Sequence, residues 1–480
     1  MCLKAAPRYE LTSGIEDVYQ LVWEMDYEGA KSAVANVKSE DPSNLLIHLV
    51  EDYIDFTRIF LADDMEGYEQ YRDDVEKRLS MIKASGAISP YYYYSQAEIY
   101  IHWSLVRAKK GEKIRAGWDI NRAYKLLKKS KEKYPDFKHV DKSLSVIHAL
   151  MGSIKGFRKT FIKLFTSLDG SIEQGIEEIE ELYNWDRSNQ SMWSDEIAAV
   201  QSLMLGHIQK DWDGALKVLD GVSDEKTNSP IGKYLIASTA YRAGQNDRSI
   251  ALLMNEEQGG FHTFPQLNFL TANALLYKGD QQAVEYYKKF IDETKGQNYL
   301  KSAHQKLAWC SLIFSDSQED YKRWMTTIPQ LGALMIGEDQ QAHHAALSGV
   351  VPNKVLLQAR LLYDGGYDKE ALQAIELFEE RTNSSADKLE FVYRRARIHQ
   401  RLGDVDQAIA SYKQAINIGS KEKRYYACNS AVQLAQIYFK KGDIVQTKYY
   451  VDQALNMKPS ERRDDLHHEA ELIRDRIKEN

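Results

Sequence analysis

The side chains in this 480-residue chain most able to bind a metal or attack a substrate are 12 histidines and three cysteines. Two histidine pairs, His343-His344 and His467-His468, stand out. Neighbouring residues on a helix point about 100° apart, whereas helical chelation needs donors three or four positions apart. Both pairs are therefore expected to be ordinary helix residues. Cys2, Cys310 and Cys428 cannot all pair within one chain, and the last two lie in separate segments. A disulfide framework is not expected, and Cys310 and Cys428 read as small core residues. Gly259-Gly260 and Gly365-Gly366 lack the further glycines and the Lys-Ser/Thr of a phosphate loop. No His-Glu-x-x-His occurs. The acids Glu177, Glu178, Glu180 and Glu181 could suggest acid–base chemistry. Ile172, Ile176, Ile179 and Tyr183 form an apolar stripe opposite them, which predicts a solvated acidic face. The run Tyr91-Tyr92-Tyr93-Tyr94 cannot place more than two rings on one helix face and is expected in packing. The expectation is a non-enzyme with no catalytic residue, no metal and no cofactor.

Charge offers a second kind of chemistry. Residues 107–163 hold 17 Lys/Arg and 5 Asp/Glu, whereas the whole chain has a net charge of −7. Such asymmetry can draw in an anionic surface. The segment ends in a stretch where Phe157, Phe161, Leu164, Phe165 and Leu168 share one helix face, with Arg158, Lys159 and Lys163 beside it. A basic amphipathic helix of this kind can lie on a membrane or serve as a core helix with a charged back. The acidic balance overall, with a pI of about 6.0, argues against nucleic acid as a partner.

The elements that carry these residues are helices. With 43% hydrophobic residues a core is available, and 9 prolines and 27 glycines suit long helices with short links. No stretch reaches the roughly 20 apolar residues of a membrane span. The N-terminus lacks an apolar signal core, so the default expectation is cytoplasmic, or export if a start upstream hides a leader.

Internal repetition sets the fold class. In residues 388–457, Ala396, Gly403-Asp404, Ala408, Tyr412 and Ala415 recur as Ala435, Gly442-Asp443, Thr447, Val451 and Ala454, with Pro459 beyond. Ala359, Gly366, Ala371, Ile375 and Phe378 precede them at matching offsets. Small residues let two helices approach, a large one fills the space beside them, and the glycine permits the turn. Weaker copies run through Ala237 and Gly244, through Ala272, Gly279, Ala283 and Tyr287, through Ala215 and Leu219, and through Ala30, Val34 and Val37.

These residues resemble the tetratricopeptide repeat family. Gly156-Phe157, Leu168-Asp169-Gly170, Leu267-Asn268-Phe269-Leu270, Tyr299-Leu300-Lys301, Leu307-Ala308-Trp309-Cys310 and Arg424-Tyr425-Tyr426 further resemble the tetratricopeptide-repeat-39 and inclusion-body-clearance family and related uncharacterised bacterial proteins. That likeness covers roughly residues 145–480. It implies a helical solenoid that works through protein interaction or at a membrane surface, and it carries over no catalytic residue.

The expected fold is all-α, a right-handed superhelix of antiparallel helix pairs. Residues 1–150 form an N-terminal helical region with degenerate repeats, expected to pack against the solenoid and fill part of its groove. Residues 151–345 form central repeats, with an inserted segment near 316–350. Residues 346–480 form the regular repeats and a capping helix. Counting from the matched alanines puts Leu356, Arg360 and Tyr363 on the inner wall, then Tyr393, Arg397, Gln400 and Arg401, then Val432, Gln436, Phe439 and Lys440. Arginine among aromatic residues suits an acidic or C-terminal peptide, because guanidinium grips carboxylate bidentately. The chain departs from the Lys/Asn carboxylate clamp of such repeats. The function expected is a scaffold or adaptor for a peptide or protein partner, with peripheral membrane association through residues 107–163 as the alternative.

Overall fold

The computed structural model describes residues 6–154, 168–255, 264–378 and 384–479. Among these residues the only β feature is a single parallel bridge between Arg8 and Asn44. No described helix is long and apolar enough to cross a membrane.

The chain divides into two compact units, residues 1–274, 282–307 and 324–348, and residues 275–281, 308–323 and 349–480. The first contains α1 (Ser13–Trp23), α2 (Tyr27–Glu40), α3 (Ile47–Phe56), α4 (Tyr68–Ala84), α5 (Pro90–Lys109), α6 (Lys113–Lys133), α7 (Val140–Ile154), α8 (Ile172–Asn189) and α9 (Ser194–Met204). It continues with α10 (Trp212–Leu219), α11 (Asp224–Asn228), α12 (Pro230–Arg242), α13 (Asn246–Leu253), α14 (Pro265–Lys278) and α15 (Ala283–Glu293). The helices α16 (Leu300–Ser315) and α17 (Gln318–Thr327) follow, then α18 (Gly337–Ser348). Residues of α14, α16 and α17 are divided between the units.

Local sequence explains where these helices begin. Thr12 caps α1 by accepting from the Ile15 amide. Ser89 and Ser229 cap α5 and α12, each followed by a proline at the first helical position. Such caps satisfy amides that have no partner inside the helix. The helices then pack as neighbours in sequence: α1 with α2, α5 with α6, α7 with α8, α9 with α10, and α12 with α13. One apolar core runs from Ile15 to Met204, with Trp193 fully buried in it. Tyr93 and Tyr94 are buried and Tyr91 and Tyr92 half-buried, as expected for packing residues.

The segment near 316–350 forms α17, a short 3-10 turn at Ile328–Gln330, and α18. Two side chains fasten it. Asp339 on α18 accepts from the backbone amides of Tyr299 (2.6 Å) and Ser302 (2.9 Å), capping the start of α16. The Lys301 ammonium donates to the carbonyls of Ile328 (2.9 Å) and Pro329 (3.3 Å).

The second unit contains α19 (Lys354–Asp364), α20 (Asp368–Ile375), α21 (Ser385–Leu402), α22 (Val405–Gly419), α23 (Tyr426–Lys440), α24 (Ile444–Asn456) and α25 (Arg463–Glu479). The pairs α19/α20, α21/α22 and α23/α24 pack together. The small positions read from sequence lie at these contacts: Ala359, Ala371, Ala396, Ala408, Ala415, Ala435, Thr447 and Ala454 are all fully buried. Tyr412, also fully buried, fills the space beside them. Gly403 and Gly442 close the turns with φ of 89° and 75°, a region that favours glycine. Helix α25 buries Leu466, Ala470 and Ile473. The chain is thus an all-α array of tetratricopeptide-like helix pairs.

Candidate functional site: an arginine-rich cleft

The helix pairs of the second unit bring Arg360 and Tyr363 of α19 together with Tyr393, Arg394 and Arg397 of α21. Tyr425, Asp364 and Arg462 complete the walls of an open cleft of about 210 Å³. That is below the roughly 300–1,000 Å³ of a typical small-molecule pocket. It has room for a side chain.

Each guanidinium is held differently. Arg394 grips Glu390 one turn earlier on α21, with its Nε 2.6 Å from the carboxylate. Burial would raise Glu390, but Arg394 outweighs it and leaves the carboxyl below its ordinary value. Arg360 reaches Asp364 only at 3.5 Å and lies over the Trp309 ring, 5.1 Å from its centroid. Arg397 donates to the Tyr363 hydroxyl at 3.1 Å, and no carboxylate among the described residues lies within ion-pair distance of it. Burial pushes the Tyr393 phenol up to about 12, so that neighbour is neutral at pH 7. Arg462 sits over the Tyr425 ring at 5.2 Å, also without a described carboxylate partner. The link before α25 aims it: Ser460 bonds to the Lys423 carbonyl, its amide at 2.8 Å, and Arg462 adopts a φ of 54°.

Of the residues expected on this wall, Arg360, Tyr363, Tyr393 and Arg397 converge in the cleft. Arg401 lies next to it but is engaged: its Nε is 2.7 Å from Asp368, and its guanidinium stacks 3.6 Å from the Tyr363 ring centroid. Gln400 accepts from the Tyr412 hydroxyl. Gln436, Phe439 and Lys440, half-buried to exposed on α23, do not line it. Leu356 and Val432 are a correction: both are buried in the core, with 1% and 0% exposure. Both belong to the apolar cluster that packs the helices of this unit together.

Sequence reading missed Arg394, Asp364, Tyr425 and Arg462. Arg394 was accessible to it, being three residues before Arg397 on the same face. Arg462 was not, because its place depends on an irregular link.

Glu177, Glu180 and Glu181 are exposed, as expected of a solvated face, but Glu178 is half-buried and lies 2.6 Å from the His148 ring on α7. The preceding helix supplies a partner that the stripe on α8 alone does not reveal. Cys310 and Cys428 are buried, and burial pushes the Cys428 thiol up to about 11, away from a reactive thiolate. The His467 ring contacts the Met457 carbonyl at 2.9 Å. Among the described residues no three His, Cys, Asp or Glu side chains are placed to hold a metal ion. Phe157, Arg158, Lys159 and Lys163 lie outside the described residues. Within the basic segment, α6 exposes Ile114 and Trp118 and, further along, Lys125, Lys128 and Lys129.

The first unit holds an open cleft of about 360 Å³, whose walls include Lys38, Glu51, Asp55, Asp74 and Arg78, and a buried ionic centre. The Lys142 ammonium lies 2.8 Å from Glu98 and 2.6 Å from Glu196. The Tyr19 and Tyr53 hydroxyls each donate to Glu196 at 2.9 Å, and Trp193 packs on both rings. Burial disfavours the Lys142 charge, but the two carboxylates more than offset it and hold its pKa well above the ordinary value.

No family model matches the chain, and no curated protein matches it either. Solved structures similar to it include a Rap protein complexed with competence and sporulation factor, at 13% identity over 85% of this chain and 96% of that one, with a TM-score of 0.33. Yeast Tom70 is similar at 11% identity over 97% and 96% of the two chains, with a TM-score of 0.24. A structure of Naa15/Naa10 bound to HypK-THB is similar at 12% identity over 90% and 67%, with a TM-score of 0.22. At such scores no property transfers to this chain.

Proposed function

We propose that the protein is a non-catalytic interaction scaffold that holds an acidic segment of a protein partner in the cleft of its second unit. The carrying observation is the pair of guanidiniums, Arg397 and Arg462, that face the cleft without a carboxylate among the described residues. A charge held this way is satisfied by an incoming anion, and Arg binds carboxylates through paired N–H donors. The aromatic walls add contacts to the stem of whatever side chain enters.

Titration of the full chain with fluorescent dodecapeptides, degenerate except for glutamates at alternate positions, tests this reading. Saturable binding is expected, weakening steeply between 50 and 500 mM salt, roughly as the screening length shortens from over 10 Å to about 4 Å. A matching lysine pool should not bind. Equal binding of both pools would reject the reading.

Exposed Ile114 and Trp118, one turn apart on basic α6, favour a second reading, attachment to an anionic membrane surface. Flotation with vesicles containing 30% phosphatidylserine should recover the chain at low salt. Trp118→Ala should cut that recovery severalfold. No flotation at low salt would remove the membrane reading.

A further inference from the structure

We infer that the anion taken by the cleft is a phosphate, the phosphomonoester of a modified side chain on the protein partner. The inference rests on the acidic-segment reading and sharpens it. Four guanidiniums meet at the cleft, from Arg360, Arg394, Arg397 and Arg462. Two carboxylates answer them, Asp364 against Arg360 and Glu390 against Arg394. Two positive charges are left, on Arg397 and Arg462. A carboxylate would cancel one of them. A phosphomonoester carries about −1.5 to −2 at pH 7 and three strong acceptor oxygens, so it cancels both.

The holders of these charges also fit a phosphate. Arg397 is held by its bond to the Tyr363 hydroxyl, and the exposed Arg462 lies over the Tyr425 ring. Arg360 is bound to Asp364 only loosely, at 3.5 Å, and keeps N–H donors for a third oxygen. Pre-positioned donors of this kind lower the cost of ordering on binding. A cleft of about 210 Å³ that opens to solvent has room for a phosphorylated side chain. The chain's net charge of −7 also disfavours a polyanion such as nucleic acid, so a single localised phosphate is the fitting ligand.

The experiment uses the full chain and three nonapeptide pools with identical degenerate flanks, carrying phosphoserine, glutamate or alanine at the centre, with inorganic phosphate as competitor. The phosphoserine pool should bind at least tenfold tighter than the glutamate pool, and the alanine pool should not bind. Arg397→Gln and Arg462→Gln should each weaken the phosphoserine pool by tenfold or more, while Lys458→Gln, outside the cleft, should not. Each variant's circular dichroism checks that it is folded. Equal affinity for phosphoserine and glutamate would overturn the phosphate inference and leave the acidic-segment reading standing. Unchanged affinity in folded Arg397→Gln and Arg462→Gln would remove the cleft as the site. Inorganic phosphate competing as strongly as the peptide pool would overturn the protein partner. Failure of every pool to bind would overturn both readings.

Discussion

Replacing Lys142 with Met is expected to destabilise the first unit by about 3–5 kcal/mol at pH 7, the usual cost of leaving a buried charge without its partner. Two carboxylates depend on this ammonium, Glu98 at 2.8 Å and Glu196 at 2.6 Å, in a core sealed by Trp193. Removing all three ionic groups, as Glu98→Gln, Lys142→Met and Glu196→Gln together, should recover most of the loss, since a neutral centre has no stranded charge. The pH dependence gives the sharper test. Burial opposes the Glu196 charge, but Lys142 outweighs it and holds the carboxyl below its ordinary value. Its contribution is therefore present above the unfolded carboxylate pKa, about 4.3, and is lost as pH falls through the folded value. Lys142 is held above its ordinary value. Its contribution is complete below the unfolded lysine pKa, about 10.4, and is lost only as pH rises through the folded value. In the Met variant burial of Glu196 is no longer offset by Lys142, so its protonation relieves the cost. The gap between wild type and variant should narrow from pH 7 to pH 5 in urea unfolding followed by circular dichroism. A gap below about 1 kcal/mol at pH 7 would contradict the ionic account.

Asp63→Ala should release the loop ahead of α16. Asp63 is buried, with 3% exposure, and accepts from the backbone amides of Gln297 (2.9 Å) and Asn298 (3.1 Å) and from the Asn298 side chain at 3.0 Å. Lys109 lies 2.6 Å from the same carboxylate. Burial already holds Lys109 below its ordinary value, with Asp63 as its compensating charge. Truncation leaves two amides and an ammonium without their partner, at a cost of about 3–5 kcal/mol. Amide exchange at 297 and 298 should therefore accelerate at least 100-fold, because each 1.4 kcal/mol is a factor of ten when local opening controls exchange. Gly296 offers a second route to the same effect: a Cβ there would stand 2.1 Å from the Asp63 carboxylate. Unchanged protection at 297 and 298 in Asp63→Ala would contradict the role given to this carboxylate.

These two carboxylate clusters were silent in the sequence, and the reason is separation. Lys142 lies 44 residues from Glu98 and 54 from Glu196, and Asp63 lies 235 from Asn298. Periodicity reports which residues share a face of one helix or meet within one helix pair. It does not report which distant helix returns to cover that face. The nested alanines were legible because Ala396, Gly403 and Ala408 belong to one helix–turn–helix, where spacing alone fixes the contact. Arg360, Tyr363, Tyr393 and Arg397 were legible for the same reason, each counted from a buried alanine on its own helix. Leu356 and Val432 failed because neighbouring helices cover these apolar side chains, which a count along one helix does not report. Arg462 failed because an irregular link, rather than a helix, places it.

The most direct measurement on the cleft is an exchange of charge preference. The full-length double variant Arg360→Glu, Arg397→Glu would be titrated with the glutamate and lysine dodecapeptide pools beside the wild type. The account predicts that the wild type prefers the acidic pool, and that the variant, folded by circular dichroism, loses it by tenfold or more and shifts its preference toward the basic pool. A folded variant that still binds the acidic pool with wild-type affinity would contradict the assignment of the cleft as the place where this protein holds its partner.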